Sequence, residues 1–205
     1  MWRCEQAAFS LLPTAGHQRH ITPEATEELK LDGFRALAHF KDGTGELISR
    51  NRNTLASFHR LAADIAGHFK GETGILDGEI VSLDERGYPQ FEDLMFRRGE
   101  LFFVAFDALF IDGEDLRGLP LIDRKARLKA VLPSRQSQSR LRYHGHVERH
   151  GKALYQLTCE RNLEGIVCKQ KNGLYDTRKP QWVKVKNPNY SQAEGRVELF
   201  EELRS

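Results

Sequence analysis

The chain has 205 residues, 40% of them hydrophobic and 29% charged, with a net charge of +2 and a pI of about 8.4. That balance excludes a disordered or membrane-embedded chain and fits one domain of ordinary size, or one domain with a short appendage. The three cysteines, Cys4, Cys159 and Cys168, are odd in number and scattered. They form neither a disulfide framework nor a zinc pattern, which points to a reducing compartment.

Residues 1–22 read as an irregular lead-in, with Pro13, Gly16 and a mixture of His, Gln and Arg. The apolar patch Ala7–Leu12 is too short and too weakly cationic for a signal peptide. A cytoplasmic location is therefore expected. Thr22-Pro23-Glu24 has the chemistry of a short helical turn. Thr22 to Glu28 is unusually polar, so a strand here is expected to pack poorly.

Lys30-Leu31-Asp32-Gly33-Phe34-Arg35 follows, reading K-x-D-G-x-R. A lysine beside cations can become a nucleophile, and Asp-Gly makes a tight turn that lets it face a ligand. On the residues alone, a solvated turn with charged flanks remains an equal reading. Phe34 to Phe40 is compatible with a strand, 41–45 with a turn, and Glu46 to Arg50 with the returning arm of a hairpin. Asn53 or Thr54 is expected to cap a helix with the stripe Leu55, Phe58, Leu61, Ile65 and Phe69.

Ile75 to Leu83 reads as a strand with Asp77-Gly78-Glu79 at its centre. A mid-strand carboxylate is costly to bury alone, so Glu79 is expected to meet a cation or a ligand hydroxyl. Leu101 to Ile111 is a near-continuous apolar strand containing Phe106-Asp107, and Asp112-Gly113 turns the chain. Asp123 is expected to cap a helix from about Arg124 to Leu132 that Pro133 ends. Residues 135–140 read as a polar loop, Leu141 to Val147 as a strand, and Lys152 to Arg161 as a helix with Leu154 and Leu157 inward. Gly165 to Lys169 and Trp182 to Lys186 close the pattern as strands, Lys184 and Lys186 sharing one face. Arg196 to Arg204 reads as one short amphipathic helix. His144-x-His146-x3-His150 has no accompanying Cys or carboxylate set and is not read as a metal site. Arg97-Arg98 and the arginines between 135 and 142 could grip a phosphate backbone or be ordinary charged loops.

Six segments in this order resemble the motifs of the nucleotidyltransferase domain of ATP-dependent DNA ligases, within the covalent nucleotidyltransferases that include RNA ligases and capping enzymes. Lys30 to Arg35 resembles motif I, Ser49 to Asn53 motif Ia, Asp77-Gly78-Glu79 motif III and Phe106-Asp107 motif IIIa. Glu164-Gly165-Ile166-Val167-Cys168-Lys169 resembles motif IV, and Trp182 to Lys186 motif V.

The resemblance implies an α+β domain of antiparallel sheets flanked by helices, an ATP-grasp-like ligase adenylation domain over residues 23–190, with 191–205 as a short tail. It implies Lys30 as the adenylylated lysine and Lys184, with Lys186, as the cations that neutralise the α-phosphate. Glu28 is similar to the residue at the adenine amino edge, Phe106 to the aromatic that stacks on adenine, and Arg35 and Arg50 to the arginines near ribose and phosphate. Phe106 also has a plain core reading. Glu79 and Glu164 resemble the carboxylates that bind metal or ribose, which implies ATP with Mg²⁺ or Mn²⁺. The implied substrate is nicked duplex DNA, joined after AMP transfer to a 5′-phosphate in DNA repair. The alternatives are RNA ligation or repair, and a non-catalytic, nucleotide-binding ligase remnant acting as a repair partner. The OB-fold domain with motif VI has no counterpart in the sequence, so a partner supplying an OB fold or a DNA clamp is expected.

Overall fold

Alternation of apolar and polar side chains dictates two antiparallel sheets, each with a helix-covered face. In the computed structural model the described residues are 24–134, 138–178 and 182–193. They divide into two units. The first holds residues 24–31, 146–170 and 182–193, and the second holds 32–134, 138–145 and 171–178. The expected lead-in and the C-terminal helix lie outside the described residues, as do residues 135–137 of the polar loop after Pro133.

In the first unit, strand β1 is Ala25–Leu29, followed in space by β8 (Val147–Glu148), β9 (Gly165–Gln170) and β10 (Trp182–Lys186). Their order is β10-β9-β1-β8, every pairing antiparallel. Helix α4, Gly151–Glu160, covers one face, where Tyr155, Ile166, Cys168 and Val185 form a small core. The Tyr155 hydroxyl donates to the Lys186 carbonyl at 3.1 Å, tying the helix to the last strand. Leu154 packs against this core as expected, but Leu157 is 42% exposed, and Tyr155 and Thr158 are the buried positions.

Glu24 stands in a turn and Ala25–Leu29 is strand, while Thr22 and Pro23, the rest of the expected helical turn, lie outside the described residues. β1 corrects the expectation of poor packing: Ala25, Thr26, Glu27 and Glu28 are all buried. Two of its polar side chains have partners across the sheet. Glu28 pairs with Lys169 at 2.6 Å, and the Thr26 hydroxyl reaches the Lys169 carbonyl at 3.5 Å.

The second unit is built on β2 (Phe34–Lys41), β3 (Thr44–Ser49), β4 (Thr73–Ser82), β5 (Leu101–Ile111) and β6 (Glu114–Asp115). Their order is β3-β2-β4-β5-β6, and β7 (Leu141–Tyr143) adds to β5 in parallel. The β2–β3 turn carries Asp42 and Gly43 at positive φ, which the Asp-Gly chemistry allows. Ala36, Ala38 and Phe40 of β2 face the core with Leu76, Ile80, Phe103 and Ala105. Helix α1, His59–Ala66, closes that core with Leu61 and Ile65, and Phe69 stacks on Phe40 at 3.9 Å between ring centroids.

Neither Asn53 nor Thr54 caps this helix. A 3-10 turn, Ala56–Phe58, precedes it, and the Thr54 hydroxyl bonds Glu46. Helix α2, Phe91–Met95, was not anticipated; its Phe91 meets Phe34 edge-on. Helix α3, Leu121–Val131, begins before Asp123, which lies in its first turn while Pro120 stands at the cap. The strand expected over 141–147 is broken, with β7 ending at Tyr143 and β8 starting at Val147.

Candidate active site

The first unit gathers charge on the sheet face opposite α4. Ile166, Cys168 and Val185 point to the helix, so Val167 and Lys169 of β9 and Trp182, Lys184 and Lys186 of β10 point the other way. Thr26 and Glu28 share that face, and the register sets Val167 between Glu28 and Lys184. Glu28 and Lys169 are each 2% exposed and ion-paired, with the Lys169 ammonium 4.4 Å from the Trp182 ring centroid. A desolvated pair of this kind is costly to build, and removing one partner costs about 3–5 kcal/mol. Lys184 and Lys186 are exposed.

Lys30 sits just past the end of β1. Its backbone N–H donates to the Gly165 carbonyl at 2.8 Å, and its Nζ lies 2.5 Å from Glu164 Oε2. Glu164 is fixed in turn, because its carbonyl accepts the Asn187 N–H at 2.9 Å. Burial, and next the negative charge of Glu164, push the Tyr190 phenol well above its ordinary range. Gly165 allows the tight approach. Its φ is +147°, and a Cβ there would fall 2.2 Å from the Val185 carbonyl oxygen. The expected residues Glu28, Lys30, Glu164, Lys184 and Lys186 therefore belong to one sheet and its adjoining loop.

The second unit groups Arg35, Glu79 and Phe106. Arg35 and Glu79 are register partners on β2 and β4. Phe106, 7% exposed on β5, lies with its ring centroid 5.7 Å from the Arg35 guanidinium carbon. Arg35 donates Nε and Nη2 to the two oxygens of Asp77 at 3.0 and 2.6 Å. Burial pulls the Arg35 guanidinium toward neutrality, but the hydrogen bond and charge of Asp77 together outweigh it and lock it as a cation. Gly33 matters here too. A Cβ on it would sit 2.2 Å from the Ile80 carbonyl oxygen and 2.9 Å from Glu79 Cγ. Arg50 is exposed one residue beyond the Ala36–Ser49 pairing, at the Arg35 end of the hairpin.

Three partners escaped the sequence reading. Asp77 is wholly buried, and it is the anchor of Arg35 rather than a companion of Glu79. Lys169 was legible only as part of a motif, and its pairing with Glu28 needed the strand register. Tyr175, whose hydroxyl donates to Asp77 at 2.8 Å, lies in a segment with no motif or periodicity.

Among the described residues no group of three or more His, Cys, Asp or Glu side chains could hold a metal. Single carboxylates such as Glu79 and Glu164 do fit Mg²⁺, a hard cation that takes one or two carboxylates and completes its shell with water and phosphate oxygens. Exposed lysines and an anchored arginine fit a polyphosphate. No helix among the described residues is long and apolar enough to cross a membrane.

The family model of the ATP dependent DNA ligase domain matches residues 14–186. The multifunctional non-homologous end joining protein LigD of Pseudomonas aeruginosa is 36% identical over 166 residues, covering 78% of this chain and 20% of that protein. A probable DNA ligase of Streptomyces coelicolor is 33% identical over 200 residues, covering 86% of this chain and 39% of the relative. Among solved structures, the ligase domain of M. tuberculosis LigD superposes with a TM-score of 0.69 at 28% identity, over 79% of this chain and 53% of that one. A mycobacterial DNA ligase D complexed with ATP and MES gives 0.66 at 28% identity, over 79% of this chain and 54% of that one. The chain thus spans about half of these ligase structures and less of the curated relatives.

Proposed function

Since this chain belongs to the family of ATP-dependent DNA ligase domains, we propose that it is the catalytic core of a DNA ligase that adenylylates itself on Lys30. The observation that carries the proposal is the position of Lys30. It sits just past the end of a buried strand, its amine is held by Glu164 at 2.5 Å, and the sheet of that strand carries the exposed cations Lys184 and Lys186.

As an ammonium bonded to Glu164, Lys30 has no lone pair to offer, so its proton passes to Glu164 or to water before attack. The Nζ lone pair then forms a bond to the α-phosphorus of ATP while the bond to the bridging oxygen breaks and pyrophosphate departs. Lys184 and Lys186 face developing negative charge on the α-phosphate, the kind of electrostatic stabilisation that usually dominates phosphoryl transfer. Mg²⁺ bound with the nucleotide would supply further charge neutralisation, with Glu164 of the first unit and Glu79 of the second each a candidate protein ligand. Arg35 and Arg50 take ribose or phosphate, Phe106 stacks on the base, and Glu28 accepts from its amino edge.

In the second step a DNA 5′-phosphate oxygen bonds to the adenylate phosphorus and Lys30 leaves. In the third a 3′-hydroxyl attacks that 5′-phosphate and releases AMP. The substrate proposed is nicked duplex DNA, with a protein or segment carrying an OB fold or DNA clamp as partner. The relative named a probable DNA ligase, at 33% identity, supports DNA over RNA.

The test is incubation with α-labelled ATP and Mg²⁺, followed by a denaturing gel. Label that survives denaturation and disappears with Lys30→Ala is expected. Label retained by that variant would refute the assignment.

A further inference from the structure

Asp77 on β4 and Asp107 on β5 are register partners in the middle of the second unit's sheet, and both are wholly buried. Two buried carboxylates side by side are tolerable only if each is neutralised and hydrogen-bonded. Each has an arginine. Arg124, 1% exposed on its side chain, donates Nε and Nη2 to the two oxygens of Asp107, both at 2.8 Å. Its Nη1 donates to the Leu119 carbonyl at 2.6 Å and the Gly173 carbonyl at 3.0 Å. Arg124 is thus spent inside the fold.

Arg35 differs. Its fork grips Asp77, yet its side chain is 39% exposed. A planar cation clamped along one edge and still partly exposed is a pre-organised donor for a phosphate or sugar oxygen.

Tyr175 joins the two pairs. Its hydroxyl donates to Asp77 Oδ2 at 2.8 Å and lies 3.4 Å from Arg35 Nη2, while its ring is 5.8 Å from the Arg124 guanidinium carbon. It reaches there from the segment 171–178, which runs between β9 and β10. That segment is strapped to the second unit by three backbone acceptors. The Ile122 N–H donates to the Lys171 carbonyl at 3.1 Å and the Tyr175 N–H to the Arg117 carbonyl at 3.0 Å, with Arg124 on Gly173 completing the set. Oδ2 of Asp77 therefore takes two donors, one from Arg35 and one from Tyr175. Without the phenol, Oδ2 keeps only the Arg35 donor, and the Asp77–Arg35 fork is held less tightly in its orientation.

We propose that Tyr175 is a positioning residue for adenylylation: its hydroxyl fixes Asp77, and through Asp77 it holds the exposed edge of Arg35 in the orientation that meets the nucleotide. The inference rests on the adenylylation reading above. Burial, and next the charge of Asp77, hold the Tyr175 phenol well above its ordinary range, so it stays a donor at every pH at which the enzyme is assayed. A purely structural tyrosine would act by packing its ring on Arg124, and Tyr175→Phe keeps that ring.

The experiment is a double-mutant cycle on single-turnover labelling with α-labelled ATP, using Tyr175→Phe, Arg35→Ala and the pair, with Lys30→Ala as control. Tyr175→Phe is expected to slow labelling about tenfold and to keep its melting temperature within a few degrees. Arg35→Ala is expected to cost more, and adding Tyr175→Phe to it is expected to change the rate by less than about twofold, because the hydroxyl acts only through Arg35. Wild-type labelling by Tyr175→Phe would overturn the proposal, as would a full tenfold loss persisting in the Arg35→Ala background. Labelling that survives Lys30→Ala would instead overturn the adenylylation reading, a result the cycle keeps separate.

Discussion

Lys30 and Glu164 are 134 residues apart in sequence and 2.5 Å apart in space, with the backbone beside them joined by the Lys30 N–H to the Gly165 carbonyl. Both ends of the contact are anchored, so the amine has one place to be. Lys30→Arg keeps a cation at that place but removes the nucleophile. It is expected to abolish the covalent adenylate while leaving ATP affinity within about tenfold. Equilibrium binding of ATP and a denaturing labelling gel, run on the same preparation, check both halves. Labelling at the wild-type level would remove Lys30 from the reaction.

Glu164 and Glu79 each stand beside a glycine, Gly165 and Gly78, whose missing side chain lets Val185 and Phe103 pack close against the segment that carries the carboxylate. Glu164→Ala and Glu79→Ala are each expected to slow adenylylation at least tenfold, with excess Mg²⁺ restoring only part of the loss. The measurement is a Mg²⁺ titration of the labelling rate for each variant. Unchanged rates in both would remove the two carboxylates from the reaction.

Where the pattern was local, the sequence was legible. The bounds of β5, Leu101–Ile111, match the apolar run because the strand is buried on both faces. The β2–β3 hairpin was visible in Asp42-Gly43. Where burial rests on long-range charge, legibility failed. Ala-Thr-Glu-Glu-Leu reads as a surface segment until the register brings Lys169, diagonal on the next strand, to Glu28. The site divides the same way. Lys30, Glu164 and the two strand lysines announce themselves by motif. Tyr175 does not, because its contact with Asp77 crosses 98 residues from a segment without periodicity. Helix ends were misjudged for a related reason: Thr54 has a capping side chain but spends it on Glu46.

Gly165 and Gly43 both have positive φ, but only Gly165 is crowded. A Cβ at Gly165 would meet the Val185 carbonyl at 2.2 Å, whereas nothing lies within 4 Å at Gly43. Gly43→Ala is expected to cost only backbone strain, about 1–2 kcal/mol. Gly165→Ala adds a clash that must push β10 from β9, and it is expected to cost at least about 3 kcal/mol and to abolish labelling. Urea unfolding of the two variants decides it. Equal destabilisation would mean that the close strand approach at Gly165 carries no weight.

The last prediction concerns alkaline stability. Cys168 is 3% exposed on the α4 side of the first unit's sheet. Burial, and next the charge of Glu27, push its thiol from 9.0 up to about 12. Below pH 9 the thiol is protonated in both folded and unfolded chains and contributes no slope. Between 9 and about 12 the unfolded chain has lost the proton while the folded chain keeps it. The unfolded state then binds fewer protons, so unfolding becomes easier as pH rises. The loss attributable to Cys168 is expected to reach roughly 1–2 kcal/mol near pH 10.5. Tyr155, whose phenol burial raises from 10.0 to about 12, adds a loss of the same sign that begins one unit later. Cys168→Ala removes the cysteine component alone. It leaves a small core cavity that destabilises the variant at every pH, so the quantity to follow is the gap between wild type and variant. Urea midpoints at pH 8.0, 9.5 and 10.5 are expected to show that gap narrowing steadily as the wild type loses its advantage. In parallel, a thiol reagent at pH 8 is expected to modify Cys168 only as fast as the native chain opens. Parallel pH curves for wild type and Cys168→Ala, or rapid native modification of Cys168, would show that this thiol is not held protonated by the packing of α4 on the sheet.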